Sequence, residues 1–274
     1  MDGELPWDEA REGAVPAAHP AALHGLPLRM NYRKAVFFMR SNEKETALFP
    51  DPFSREYWRT AAGELKDVRM LVFAAMMIAL RVALKPVYIP VAPDLHISVG
   101  FFVNAYGAMI MGPVAAILAA AVTDTLGALL FPTGTYFFPF ILTEIAGSLI
   151  FALFFYRARI TVRRLVLSRF CIDFFVNILL TTPIMSLYYR LILGKNYTLF
   201  HLPRIVKNLV MFPVESVLLV LFLRALIPPT ARVGFNVPPV DDLRFTKKNA
   251  ALLLVLFAVG CAAVGFYLLI WGKK

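Results

Sequence analysis

The sequence predicts an all-α polytopic membrane protein, and three observations carry that prediction. Hydrophobic residues make up 59% of the 274 and charged residues only 17%, too apolar a balance for a soluble domain of this length. The apolar residues collect in seven runs, each near the roughly 17–25 residues a helix needs to cross the hydrocarbon. Lysine and arginine collect between those runs, as topology signals do.

Taken in order, residues 1–67 form a polar N-terminal extension without a continuous apolar run. Its acidic start lacks a basic flank before an apolar core, so it does not read as a secretory signal peptide. Residues 1–50 are expected to be loosely ordered on the cytoplasmic side. Residues 54–66 have the pattern of an amphipathic helix, offering Tyr57, Trp58 and Leu65 to the headgroup region. The runs follow at about 68–85, 96–111, 113–130, 136–156, 166–190, 205–227 and 249–271. Only Met111-Gly112-Pro113 separates the second from the third, which predicts a tight helical hairpin. The second run, with Gly100, Asn104 and Gly107, is short and weakly apolar, a pattern open to a broken or re-entrant helix. The domain reading is thus 1–67 as extension, 68–227 as a six-helix membrane domain, and 228–274 as a cytoplasmic loop plus a seventh span.

Orientation follows from the basic loops. Arg55, Arg59, Lys66 and Arg69 flank the first run, Arg157, Arg159, Arg163, Arg164 and Arg169 follow the fourth, and Arg232, Arg244, Lys247 and Lys248 follow the sixth. All three sets share a side if every run spans once, so that side and the N-terminus are cytoplasmic. The net charge of +10 is therefore read as topology and not as a nucleic-acid footprint. The opposite face receives residues 86–95, 131–136 and 191–204, where proline, glycine and aromatic residues concentrate. The stretch Phe131-Pro132-Thr133-Gly134-Thr135-Tyr136-Phe137-Phe138-Pro139-Phe140 stops one helix and delays the next. Backbone freed in this way is tolerated at membrane depth where it is buried in protein or lines a cavity. Its rings suit a flat organic ligand, or equally an interfacial aromatic belt.

Charged groups within the runs mark either a site or a helix-to-helix tie. Asp173 and Glu215 read as ties, paired with basic or hydroxyl neighbours. Asp124 and Glu144 flank the 131–140 stretch and could accept hydrogen bonds from an aminopyrimidine edge. Arg81, Arg204 and Lys207 suit an anion, whereas Arg190 and Lys195 read as snorkelling cations. Ala75, Ala79 and Ala83 recur four apart on the first run, which lets another helix approach closely. No G-x-S-x-G, H-E-x-x-H or phosphate-cradling G-x-x-x-x-G-K occurs, so no catalytic residue is assigned and any ATP use belongs to a partner. Cys171 and Cys261, with four scattered histidines, give no disulfide framework and no metal-ligand spacing, and no cofactor is called for.

Three stretches in order carry a family resemblance. They are Ala75-x-x-x-Ala79, then Asp124-x-x-Gly127 with Phe131-Pro132-Thr133-Gly134-x-Tyr136-Phe137-x-Pro139-Phe140, then Leu202-Pro203-Arg204-x-x-Lys207-Asn208 followed by Pro213. From about 68 to 227 the chain resembles the substrate-binding (S) component of energy-coupling factor (ECF) vitamin transporters, specifically the folate family. The resemblance implies a six-helix protein of the bacterial cytoplasmic membrane that captures a vitamin and delivers it to a transmembrane coupling subunit with two ATPases. On that basis Ala75, Ala79 and Ala83 face the coupling subunit. Arg81, Arg204 and Lys207 are candidates for folate's glutamate carboxylates, and Tyr136, Phe137 or Phe138 for ring stacking beside Thr133 and Gly134. Asn104, Asp124 and Asn208 are candidates for the pterin. The N-terminal extension and the seventh run depart from the family pattern. Alternatives of a different kind are an S component for another vitamin or pterin-like anion, and a membrane enzyme or assembly factor of unrelated function.

Overall fold

The structure is a computed structural model and describes residues 48, 51–92, 95–132, 135–195, 202–233, 235 and 246–271. All of these lie in one folding unit, Thr46–Lys274. The expectation of loose order for residues 1–50 lies, apart from Leu48, outside the described residues, and so do Thr133 and Gly134. The helices in order are α1 Arg55–Glu64, α2 Val68–Ala83, α3 Gly100–Leu130, α4 Ile141–Phe155, α5 Val162–Cys171, α6 Thr181–Leu191, α7 Leu202–Arg232 and α8 Lys247–Trp271. A π-helical segment, Ile172–Leu180, joins α5 to α6, and a 3-10 turn, Phe138–Phe140, leads into α4.

Among the described residues five stretches are long and apolar enough to cross a membrane, and the chain is a multi-pass membrane protein. One of them, α3, contains two of the predicted runs. Gly112 inside it has φ +74°, ψ 174°, and Pro113 follows without an N–H to continue the ladder. Asn104 and Asp124 nevertheless line one cavity, although 20 residues of straight helix would separate them by about 30 Å. The chain therefore reverses at Gly112, as a hairpin. Its first arm is helical from Gly100, with no break before the reversal. A Cβ at position 112 would stand 2.9 Å from Cε2 of the buried Tyr156 ring, so glycine is required there for space as well as for conformation. At 16 residues, or about 24 Å, α2 falls short of the hydrocarbon thickness.

Packing follows the small residues. Ala105, Ala108, Ala115, Ala116, Ala119 and Ala120 are all buried on α3, which lets α2 and α4 close against it. The seventh run forms α8, seated on α7. There Gly260 lies so close to Val214 that a Cβ would come within 2.8 Å of its Cγ2.

The loop after α2 and the position of Arg169 both differ from the sequence expectation. The loop after α2 contains a two-stranded antiparallel hairpin, β1 Tyr88–Ala92 and β2 Leu95–Ser98, pairing Tyr88 with Ser98 and Ile89 with Ile97. Alternation at 95–98 turns Ile97 into the core, and the prolines at 86, 90 and 93 hid that strand signal. The second correction is Arg169. Thr161 caps α5, its Oγ1 accepting from Arg164 N at 3.3 Å, so Arg163, Arg164 and Arg169 are helical and not in a basic loop.

The amphipathic helix α1 forms, capped by Ser54 Oγ accepting from Tyr57 N at 3.2 Å. It docks on protein, and Tyr57 is 1% exposed instead of facing headgroups. Tyr57 Oη donates to Ala152 O at 3.1 Å, and its ring meets Tyr156 edge-on at 5.5 Å. Glu64 Oε1 accepts from Tyr156 Oη at 2.9 Å and Arg157 Nη2 at 3.0 Å, while Arg157 Nε donates to Tyr156 Oη at 3.1 Å. Burial pushes both phenols above their ordinary pKa, so they act here as neutral donors.

Candidate functional site

Four charged groups converge where α2, α3 and α4 approach the β-hairpin. Arg81, buried near the end of α2, donates from Nη2 to Glu144 Oε2 of α4 at 2.8 Å. Asp124 comes from the second arm of α3, and Lys85 from the turn that follows α2. Asn104, on the first arm, accepts from Ser148 Oγ at 2.7 Å, which ties α3 to α4 at the same level.

These groups line a cavity of about 390 Å³. Its far wall is Arg169, Asn177 and Thr181 from α5 to α6, with Arg204 and Glu215 from α7. Arg169 is paired with Asp173 at 2.8 Å and with Glu215, and its guanidinium lies 5.0 Å from the Phe101 ring centroid. The two acids read from sequence as ties are therefore ties, and both hold one arginine. The π-helical segment arranges this wall: Asn177 Nδ2 donates to Asp173 Oδ1 at 2.9 Å, and Thr181 Oγ1 to Val176 O at 2.7 Å. Such segments recur at functional sites because the widened turn re-aims side chains.

Several polar atoms of these walls are buried without a hydrogen-bond partner among the described residues. They are Thr123 Oγ1, Asp124 Oδ2, Arg169 Nε and Arg204 Nη1. Leaving such atoms unsatisfied costs about 1–3 kcal/mol each, so a cavity that retains four is suited to water or a polar ligand. The walls hold four cations, Arg81, Lys85, Arg169 and Arg204, against three anions, Asp124, Glu144 and Glu215. Asp173, paired with Arg169, brings the balance to four of each sign.

A second cavity of about 350 Å³ abuts the first and shares Lys85 and Asp124 with it. Pro132, Thr135, Tyr136, Phe137 and Phe140 line it, with Met185 and Tyr188 from α6. Phe137 and Phe140 stand 5.6 and 5.9 Å from the Tyr188 ring and 5.9 Å from each other. These rings form an aromatic wall of mutually edge-on or tilted members.

The structure therefore brings Arg81, Asn104, Asp124 and Arg204 to one cavity and Tyr136 and Phe137 to the next. Phe138 is 67% exposed and belongs to neither lining, and neither do Lys207 and Asn208 on α7. Ala75, Ala79 and Ala83 are exposed on α2, on a different face from the buried Met70, Phe73 and Met77. Sequence reasoning missed Arg169, whose i,i+4 partner Asp173 was the available signal. It also missed Tyr188, for which no local signal existed.

Comparison with known proteins locates the same region. A family model described as "ECF transporter, substrate-specific component" matches residues 69–223. The folate transporter FolT of Clostridium novyi is 30% identical over 155 residues, covering 57% of this chain and 88% of its own length. FolT of Leuconostoc mesenteroides is 28% identical over 151 residues, covering 54% and 81%. Among solved structures, a crystal structure of FolT bound with folic acid is 28% identical with a TM-score of 0.48, covering 55% of this chain and 89% of that one.

Proposed function

This chain belongs to the substrate-specific components of ECF transporters, and from that premise we propose that it captures folate and delivers it to an ECF coupling subunit for ATP-driven uptake. The observation that carries the reading is the pair of abutting cavities, one polar with unpartnered donors and acceptors, one walled by rings. Folate has the matching parts: a flat aminopterin with both donors and acceptors, an aromatic linker, and an anionic glutamate. The relatives named as folate transporters point the same way.

In this reading residues 68–227 form the substrate-binding domain. Arg204 and Asp124 bind the ligand's polar ends, and Tyr136 or Phe137 packs against a ring. The exposed alanines Ala75, Ala79 and Ala83 give a coupling subunit a close approach, two partner ATPases supply the energy, and the N-terminus is cytoplasmic. The near balance of cations and acids around the cavity favours one second reading, a related pterin-like anion of lower charge.

A thermal-shift screen of vitamins and pterins on the purified chain tests the proposal. Folate or a reduced folate should give the largest stabilisation, at submicromolar concentration. Stabilisation by a different vitamin, with none from any folate, would overturn the substrate. Ala79→Trp should leave that stabilisation intact while abolishing uptake in cells that carry the coupling module. Normal uptake would remove the alanine face as the docking surface.

A further inference from the structure

Lys85 and Asp124 are the two residues common to the linings of both cavities, so their side chains form the neck between them. The neighbouring cation, Arg81, lines the first cavity only and is held by Glu144 at 2.8 Å. Lys85 has no ion pair among the described residues. Its side chain lies along the second arm of α3, on Gly127. A Cβ added at Gly127 would stand 2.7 Å from Lys85 Cδ and 2.7 Å from Nζ. Gly127 lies in ordinary helical conformation, since the positive-φ glycines among the described residues are Gly112 and Gly194. Mid-helix glycine is otherwise unfavourable relative to alanine, so its presence here needs a reason of space. The ammonium resting on it is that reason.

We infer that Lys85, seated on Gly127, is the residue that fixes the anionic part of the ligand at the neck between the two cavities, in place of Arg81. The inference rests on the folate reading and deepens it. Arg81 has its charge matched by Glu144, so a ligand carboxylate must compete with that pair. Lys85 offers a compact charge with three donors at a point that every ligand spanning both cavities passes. Asp124, one turn before Gly127 on the same arm of α3 and within the electrostatic reach of Lys85, has Oδ2 unpartnered, and it turns the same point against a second carboxylate and towards a donor edge. The neck thereby reads the order of charge along the ligand.

The test uses the full-length chain in lipid nanodiscs, with folate and folate diamide, in which both glutamate carboxylates are amides. Lys85→Met should weaken folate about tenfold, the scale of one charge-assisted hydrogen bond, and leave the diamide within about twofold. Lys85→Arg should restore most of the folate affinity. Gly127→Ala meets only the far end of a flexible side chain, so the protein should fold with an unchanged or higher Tm while losing folate affinity by a similar factor. Wild-type folate affinity in both Lys85→Met and Gly127→Ala would overturn the inference and leave the folate reading standing. Equal losses for folate and diamide would also overturn it, since that pattern means packing and not charge. A wild-type chain that bound neither compound would overturn the folate reading, and the inference with it.

Discussion

The junction beneath α1 and the cavity between α2 and α7 both bury charge, and they complete it differently. Under α1, Glu64 serves Arg157 and Tyr156 together, Arg157 is also bound to Tyr156, and Tyr57 reaches a backbone carbonyl. In the cavity, Arg169 is held by two carboxylates, yet Thr123, Asp124 and Arg204 keep buried atoms with no partner among the described residues. A closed network fixes one arrangement, whereas an open one stores unmet hydrogen bonds that a ligand can meet. Structure and binding thus use the same residue types, and completeness separates them.

The largest effect should come from breaking the ion-paired part of the cavity wall. Arg169→Ala leaves Asp173 and Glu215 buried and uncompensated, so it should cost about 3–5 kcal/mol in thermal or denaturant unfolding. A loss below about 1 kcal/mol would mean that the two acids are already neutral or hydrated. Next is Gly112→Ala, which places a Cβ against the Tyr156 ring at φ +74° and should cost about 2–3 kcal/mol. That change strikes the hairpin reversal and the α1 junction at once, because Tyr156 belongs to both.

Smaller effects sharpen the contrast. Glu64→Gln should remove about 1–2 kcal/mol and speed amide exchange in α1, with folate affinity unchanged. Altered folate affinity in that variant would show the two regions to be coupled. The smallest stability change belongs to Thr123→Val. Its hydroxyl is buried and unpartnered, so an apolar replacement should leave the ligand-free protein within about 0.5 kcal/mol of wild type, or slightly more stable. The same variant should weaken ligand binding by about 1 kcal/mol, read by equilibrium titration. Opposite responses in stability and binding are the mark of an open site.

Much of this contrast was legible beforehand, and the exceptions have physical causes. Apolar runs, the Gly112-Pro113 reversal and the helix after Ser54 are local signals, and each became an element. That Tyr57 turns inward was not legible, because a tyrosine suits headgroups and protein equally until the partner surface is known. Arg169 reads from sequence as part of a basic loop because charge density outweighs the Thr161 cap eight residues before it. Among three adjacent rings, sequence could not say that Phe137 faces inward and Phe138 outward, since a 3-10 turn at 138–140 sets that phase. Whether a cation is free or paired depends on contacts across dozens of residues. Arg81 with Glu144 and Lys85 on Gly127 therefore emerge only once the helices are packed.

The most direct test of the central claim, that the unpartnered atoms mark the ligand's place, is a structure of the full chain with folate bound. Ligand density is expected across both cavities. Thr123 Oγ1, Asp124 Oδ2 and Arg204 Nη1 should each lie within hydrogen-bond reach of the ligand or of a water it holds, while Glu64, Tyr156 and Arg157 keep their present bonds. Density outside these cavities, or folate bound with those three atoms still unpartnered, would contradict it.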